Sequence, residues 1–148
     1  MVKDEENNIY FKQYKMLVES AEKVSDKRMN ANNYFLTINT AIISLTGLLL
    51  TSKIFLLNLN LVKLVELMGL AICVIWFLIV LSYKQLNSGK FKMIHRLEKK
   101  LPIQLFADEW KELGEGKSLR KYIPLSHIEI SVPIIFFCLY LILLFCKI

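Results

Sequence analysis

The sequence predicts an all-α integral membrane protein with three transmembrane helices and a small helical cytoplasmic domain. The 148-residue chain is 55% hydrophobic with a mean hydropathy of +0.43, yet it holds 19 Lys+Arg and 13 Asp+Glu, so apolar and charged residues must be segregated along it. The apolar residues gather in three runs, Tyr34 to Thr51, Leu64 to Tyr83 and Ile128 to Cys146. Each is about as long as a helix needs to cross roughly 30 Å of hydrocarbon. The polar segments before and between them carry helical spacing, and a water-soluble domain of this size could not wrap three such runs.

Residues 1–33 predict a cytoplasmic amphipathic helix that continues into the first span. Positions 5–31 contain no Gly or Pro, and Tyr10, Tyr14, Leu17, Ala21 and Val24 recur at helical spacing opposite Glu19, Glu22, Lys23 and Lys27. With no breaker before Gly47, residues 6–51 could form one helix of roughly 70 Å, with Asn30 to Asn33 as the place for a kink. Its apolar stripe needs a partner in the same chain or in a neighbour. The first span, 34–51, is diluted by Thr37, Asn39, Thr40, Ser44 and Thr46. The long polar stretch before it and the lack of a small-residue cleavage pattern after it argue against a signal peptide.

An external connection, 52–63, leads to the second span, 64–83, whose only acidic residue, Glu66, lies near one end where water or headgroups reach it. Residues 84–123 predict a helical cytoplasmic segment. Phe91, Ile94, Leu97 and Leu101 repeat the amphipathic spacing and Pro102 stops it. A short helix around Asp108 to Leu113 follows, closed by Gly114, and EGKSLRKY loops back to the third span, 124–146, with 147–148 outside.

Of the 19 basic residues, six precede the first span, two lie in the 52–63 connection, ten lie between 84 and 123, and one is Lys147. The positive-inside rule then places the N-terminus in the cytoplasm and the C-terminus outside. The same bias accounts for the net charge of +6 without a nucleic-acid partner. Cys73, Cys138 and Cys146 are odd in number and sit inside apolar runs, so neither a disulfide framework nor a zinc site is expected. No cofactor or metal is expected, and no phosphate-cradling glycine loop, carboxylate pair or Ser-His-Asp set suggests an enzyme.

The most informative pattern is Asn30, Asn33, Thr37, Thr40, Ser44, Gly47 and Thr51, seven small or polar residues spaced by three or four along one helical face. Close packing against another helix would use such a face, because small residues let backbones approach. A water-lined pore would use it too, since hydroxyls and amides offer oxygen to ions without fixed charge. Either use requires self-association. Arg120, His127 and Glu129 form a polar cluster where the third span begins, suited to interfacial anchoring. Arg120 and His127, with six residues between them, also fit the Arg-x4-6-His spacing of HEPN-type ribonucleases, but in a loop entering the membrane. His95 in its basic helix reads as a surface or packing residue, and Lys90, Lys92, Lys99 and Lys100 suit contact with anionic headgroups.

Four strings, YKMLVESAEKVSDKRMNANNYFLTINT (14–40), IHRLEKKLP (94–102), EWKELGEG (109–116) and YIPLSHIE (122–129) followed by Pro133, resemble the RipA family of small octameric bacterial membrane proteins. Related members include the pore that accompanies some RNA-targeting CRISPR systems. The resemblance implies a helical protomer of divergent HEPN-like arrangement, a ring of eight in the bacterial inner membrane, and a pore acting in defence or stress. It would make Arg120 and His127 structural remnants, and it supplies no catalytic residues. The partners expected are further copies of the chain and the lipid bilayer. A non-conducting scaffold for a cytoplasmic protein partner is the first alternative, and a membrane-anchored ribonuclease the second.

Overall fold

The computed structural model describes residues 2–51, 59–117 and 122–145. It consists of α1 (Val2–Thr51), α2 (Leu59–Glu98), α3 (Leu105–Glu112), a 3-10 turn (Gly114–Gly116) and α4 (Leu125–Phe145). Among the described residues there is no strand. Three helices are long and apolar enough to cross a membrane, within Glu6–Thr51, Asn60–Glu98 and Leu125–Phe145. The helical assignment of α1 continues through Asn30 and Asn33. Most of the 52–63 connection, Arg120, Cys146 and the C-terminal pair 147–148 lie outside the described residues. The chain divides into two compact units, Met1–Arg28 with Ser82–His127 and Met29–Leu81 with Ile128–Ile148.

In the first unit, α1 lies antiparallel to the end of α2. Lys100 Nζ donates to the Tyr10 hydroxyl at 3.2 Å, Tyr14 to Glu98 at 3.2 Å and Lys90 Nζ to Ser20 at 2.6 Å, so positions rise on α1 as they fall on α2. The apolar stripe finds its partner in the same chain: Ala21, Val24 and Ile94 are buried, while Glu19, Glu22, Lys23 and Lys27 remain exposed as the spacing predicts. Phe106 of α3 closes the unit, its ring centroid 5.8 Å from Phe91 and 6.4 Å from Tyr14.

Two boundaries differ from expectation; Pro102 explains the first and Glu98 the second. α2 ends at Glu98, ahead of Leu101, with turn hydrogen bonds from Lys100 to Leu97 and from Leu101 to Glu98. The residue before a proline is disfavoured in helical backbone, so the chain leaves the helix ahead of Pro102. α3 starts at Leu105, three residues earlier than the pattern suggests. Its preceding residue, Gln104, gives no side-chain cap, but the Glu98 carboxylate accepts hydrogen bonds from the Phe106 and Ala107 amides at 2.8 and 3.0 Å. A carboxylate there satisfies two orphan donors of the first turn and suits the positive helix end. α3 is stopped by Gly114, Glu115 and Gly116 at φ 74°, 53° and 71°, a left-handed run in which two residues are glycine. A Cβ on Gly116 would lie 3.3 Å from the Trp110 ring, so glycine also lets that ring close over the turn.

Candidate functional face of the first membrane helix

The second unit contains the membrane half of α1, the start of α2 and nearly all of α4. On α2, Val62, Glu66, Gly69, Cys73, Trp76 and Val80 are buried at spacings of 4, 3, 4, 3 and 4, the seam of a helix packed along one face. Glu66 lies on that seam. It is buried in the unit and not open at a water-accessible end as its position suggested, because helical phase aligns it with Val62 and Gly69.

The membrane half of α1 carries two polar rows. The inward row is Asn32, Asn39 and Thr46, seven residues apart. Asn32 Oδ1 accepts from Trp76 Nε1 at 2.8 Å. Asn39 Nδ2 donates to the Phe35 carbonyl at 2.8 Å, its Oδ1 accepts from the Cys73 thiol at 3.3 Å, and its backbone carbonyl accepts from the Tyr140 hydroxyl at 3.2 Å. Thr46 donates to the Ile42 carbonyl at 3.0 Å. Around them Phe35 stacks on Trp76 with centroids 5.9 Å apart, and Phe136 meets the same indole at 5.9 Å. Thus α1, α2 and α4 are joined by neutral polar contacts, each donor having an acceptor as hydrocarbon demands.

The outward row is the sequence-predicted one. Asn30, Asn33, Thr37, Thr40, Ser44, Gly47 and Thr51 are all exposed in the protomer. The hydroxyls of Thr37, Thr40, Ser44 and Thr51 donate to the carbonyls four residues back, at 2.9, 2.8, 2.8 and 3.1 Å. Their protons are satisfied within the helix, and oxygen lone pairs remain on the surface. A Cβ added to Gly47 would meet nothing within 4 Å, so among the described residues nothing requires a small residue there. Within the most apolar stretch of each spanning helix, 11%, 28% and 11% of residues are buried, for α1, α2 and α4 in turn. The outer surfaces of α1 and α4 are therefore left for lipid, water or other chains.

The polar cluster at the third span is less organised. His127 is exposed in the first turn of α4, its amide bonded to the Pro124 carbonyl at 2.9 Å, and Glu129 is half-buried two residues on. Arg120 lies outside the described residues. Cys73 and Cys138 are free thiols, and among the described residues no three His, Cys, Asp or Glu side chains gather as a metal site. Sequence reasoning missed Asn32 and Glu98, and it named Asn39 only as a polar residue diluting the span. The seven-residue recurrence of Asn32, Asn39 and Thr46 was a usable signal, as was an acid at position 98 on the Phe91–Ile94–Leu101 stripe.

These features define a multi-pass helical membrane protein whose first span carries a polar face that its own chain does not cover. The chain belongs to the octameric membrane protein family (8xMP), whose sequence model matches residues 11–148. No curated protein and no solved structure matches it. Membership makes it a homo-oligomeric membrane protein, and an octameric membrane protein family is what the resemblance of the four strings implied.

Proposed function

We propose that eight copies surround a central pore in the bacterial inner membrane, and that the protein permeabilises that membrane in defence or stress, as a relative of the RipA proteins. The outward row from Asn33 to Thr51 lines or frames the pore, and residues 8–28 with 84–121 form its cytoplasmic vestibule. The N-terminus is cytoplasmic and the C-terminus external, in keeping with 16 basic residues on one side and three on the other. The reading is non-enzymatic. What carries it is that all seven outward residues are exposed and uncharged while every buried polar contact of α1 in this unit lies on the opposite row. Such a surface hydrates readily and repels neither cations nor anions outright.

The test is ion flux through liposomes holding the purified protein, with oligomer mass measured on the same sample. Replacing Thr37, Thr40 and Ser44 together by leucine abolishes flux in an intact ring if this face is the lining; unchanged flux rejects it. A scaffold for a cytoplasmic protein is the second reading, supported by Ile103 and Leu105, 65% and 63% exposed beside α3 outside the predicted spans. It requires sealed liposomes and a partner recovered by pull-down. A ribonuclease would lose RNA cleavage in both Arg120→Ala and His127→Ala.

A further inference from the structure

A closed ring of identical chains is held by a heterologous contact, in which one surface of each copy meets a different surface of the next. The first unit carries two surfaces of opposite sign. On α1, Glu19, Glu22 and Asp26 are exposed. Glu22 and Asp26 flank a groove of about 220 Å³ whose other lining includes Ala21, Phe91, Ile94 and Phe106. Six basic residues lie between 84 and 100, on α2 and in the turn that follows it. Lys90 and Lys100 are engaged within the chain, by Ser20 and Tyr10. Lys92, Arg96 and Lys99 are exposed; spacings of 4 and 3 continue one helical row, with Lys99 the first residue past the end of α2. Among the described residues, none of Glu19, Glu22 and Asp26 pairs with any of these three cations in its own chain; Glu19 pairs with Lys15.

We propose that in the ring the acidic groove of one protomer receives, from the next, the row formed by Lys92 and Arg96 of α2 and Lys99 just past its end. Register supports it. Within the unit α1 and α2 run in opposite directions, and rotation about the ring axis preserves that sense for helices lying along the axis. Read in opposed directions, 19, 22, 26 and 99, 96, 92 share the spacing 3, 4, which sets Glu19 against Lys99, Glu22 against Arg96 and Asp26 against Lys92. The aliphatic stems of the basic side chains then cover the apolar floor of Ala21, Phe91 and Ile94 while their charged ends reach the acidic rim. The inference goes beyond the pore reading, because a sealed ring needs the same contact.

The experiment compares the full chain in mild detergent with Glu22→Lys plus Asp26→Lys, with Lys92→Glu plus Arg96→Glu, and with all four together, reading oligomer mass by light scattering and helix content by circular dichroism. Each double variant lowers the octamer fraction several-fold and the fourfold variant restores it. Octamers of unchanged mass in both doubles overturn the proposal, as does a fourfold variant of wild-type helix content that assembles no better than the doubles. A retained octamer that binds phosphatidylglycerol vesicles less tightly after Lys92→Glu plus Arg96→Glu makes the basic row a headgroup contact and also overturns it. Should a double variant fail to fold, carbodiimide coupling of mixed isotope-heavy and isotope-light wild-type chains decides. Heavy–light peptides joining Glu22 or Asp26 to Lys92 or Lys99 support the contact, and their absence among other heavy–light products rejects it.

Discussion

Glu98 in the first unit and Asn39 in the second are both fully buried, and each ties three helices together. Glu98 closes α2, accepts from Tyr14 of α1 and caps α3. Asn39 of α1 meets Cys73 of α2 and Tyr140 of α4. The first hub is a carboxylate surrounded by three donors, two of them amides of a helix start; the second is a neutral amide. A charge is tolerated where a helix N-terminus and further hydrogen-bond donors offset its desolvation, whereas at the depth of a span the same charge costs several kcal/mol. The polar residue that each region uses to specify its packing follows from the solvent it was taken from.

That difference sets the scale of what each substitution does. Glu98→Ala leaves two helix-start amides and the Tyr14 hydroxyl without their acceptor and lowers stability by about 3 kcal/mol. Asn39→Leu in the span costs only about 1 kcal/mol, since hydrogen bonds between membrane helices contribute modestly. Thermal unfolding of both variants in the same detergent checks the order, and an equal loss would break the comparison. The two span glycines divide similarly. A Cβ on Gly69 would lie 2.5 Å from the Tyr140 ring, so Gly69→Ala forces α2 and α4 apart and costs about 2 kcal/mol. Gly47→Ala meets nothing among the described residues and stabilises the isolated protomer by up to about 1 kcal/mol through helix propensity. A fall in octamer mass with Gly47→Ala would instead place a neighbouring helix against that face.

The smallest effect is one of pH. Burial, and then the Glu98 carboxylate, raise the Tyr14 hydroxyl above its ordinary value of 10.0. A group whose folded pKa is raised contributes stability that is complete below the unfolded value and lost as pH rises through the folded one. The first unit should therefore weaken above about pH 10, and Tyr14→Phe should flatten that alkaline limb in a pH series of melting temperatures.

The helices and the seven outward residues were legible because both rest on periodicity, which a single sequence displays. The stripe Tyr10–Val24 announced that it needed a partner but not which one, since Ile94 and Phe106 lie far along the chain. Glu98 escaped notice for a similar reason: an acid among six lysines and arginines reads as solvated, and only the fold brings the start of α3 to it. Asn39 was visible as a polar residue diluting a span. Its inward direction depends on Cys73 and Tyr140, 34 and 101 residues away.

The back-bonded hydroxyls of Thr37, Thr40, Ser44 and Thr51 bear on biogenesis. A span whose polar protons waited for a neighbour could not rest in lipid alone. Here each is already satisfied by its own helix, and Asn30 and Asn33 precede the apolar run that starts at Tyr34. A newly inserted protomer can diffuse in the bilayer as a single chain, so insertion and assembly are separable steps. The expectation is then that assembly follows copy number, the octamer forming only once the density of protomers in the membrane is high enough for them to meet.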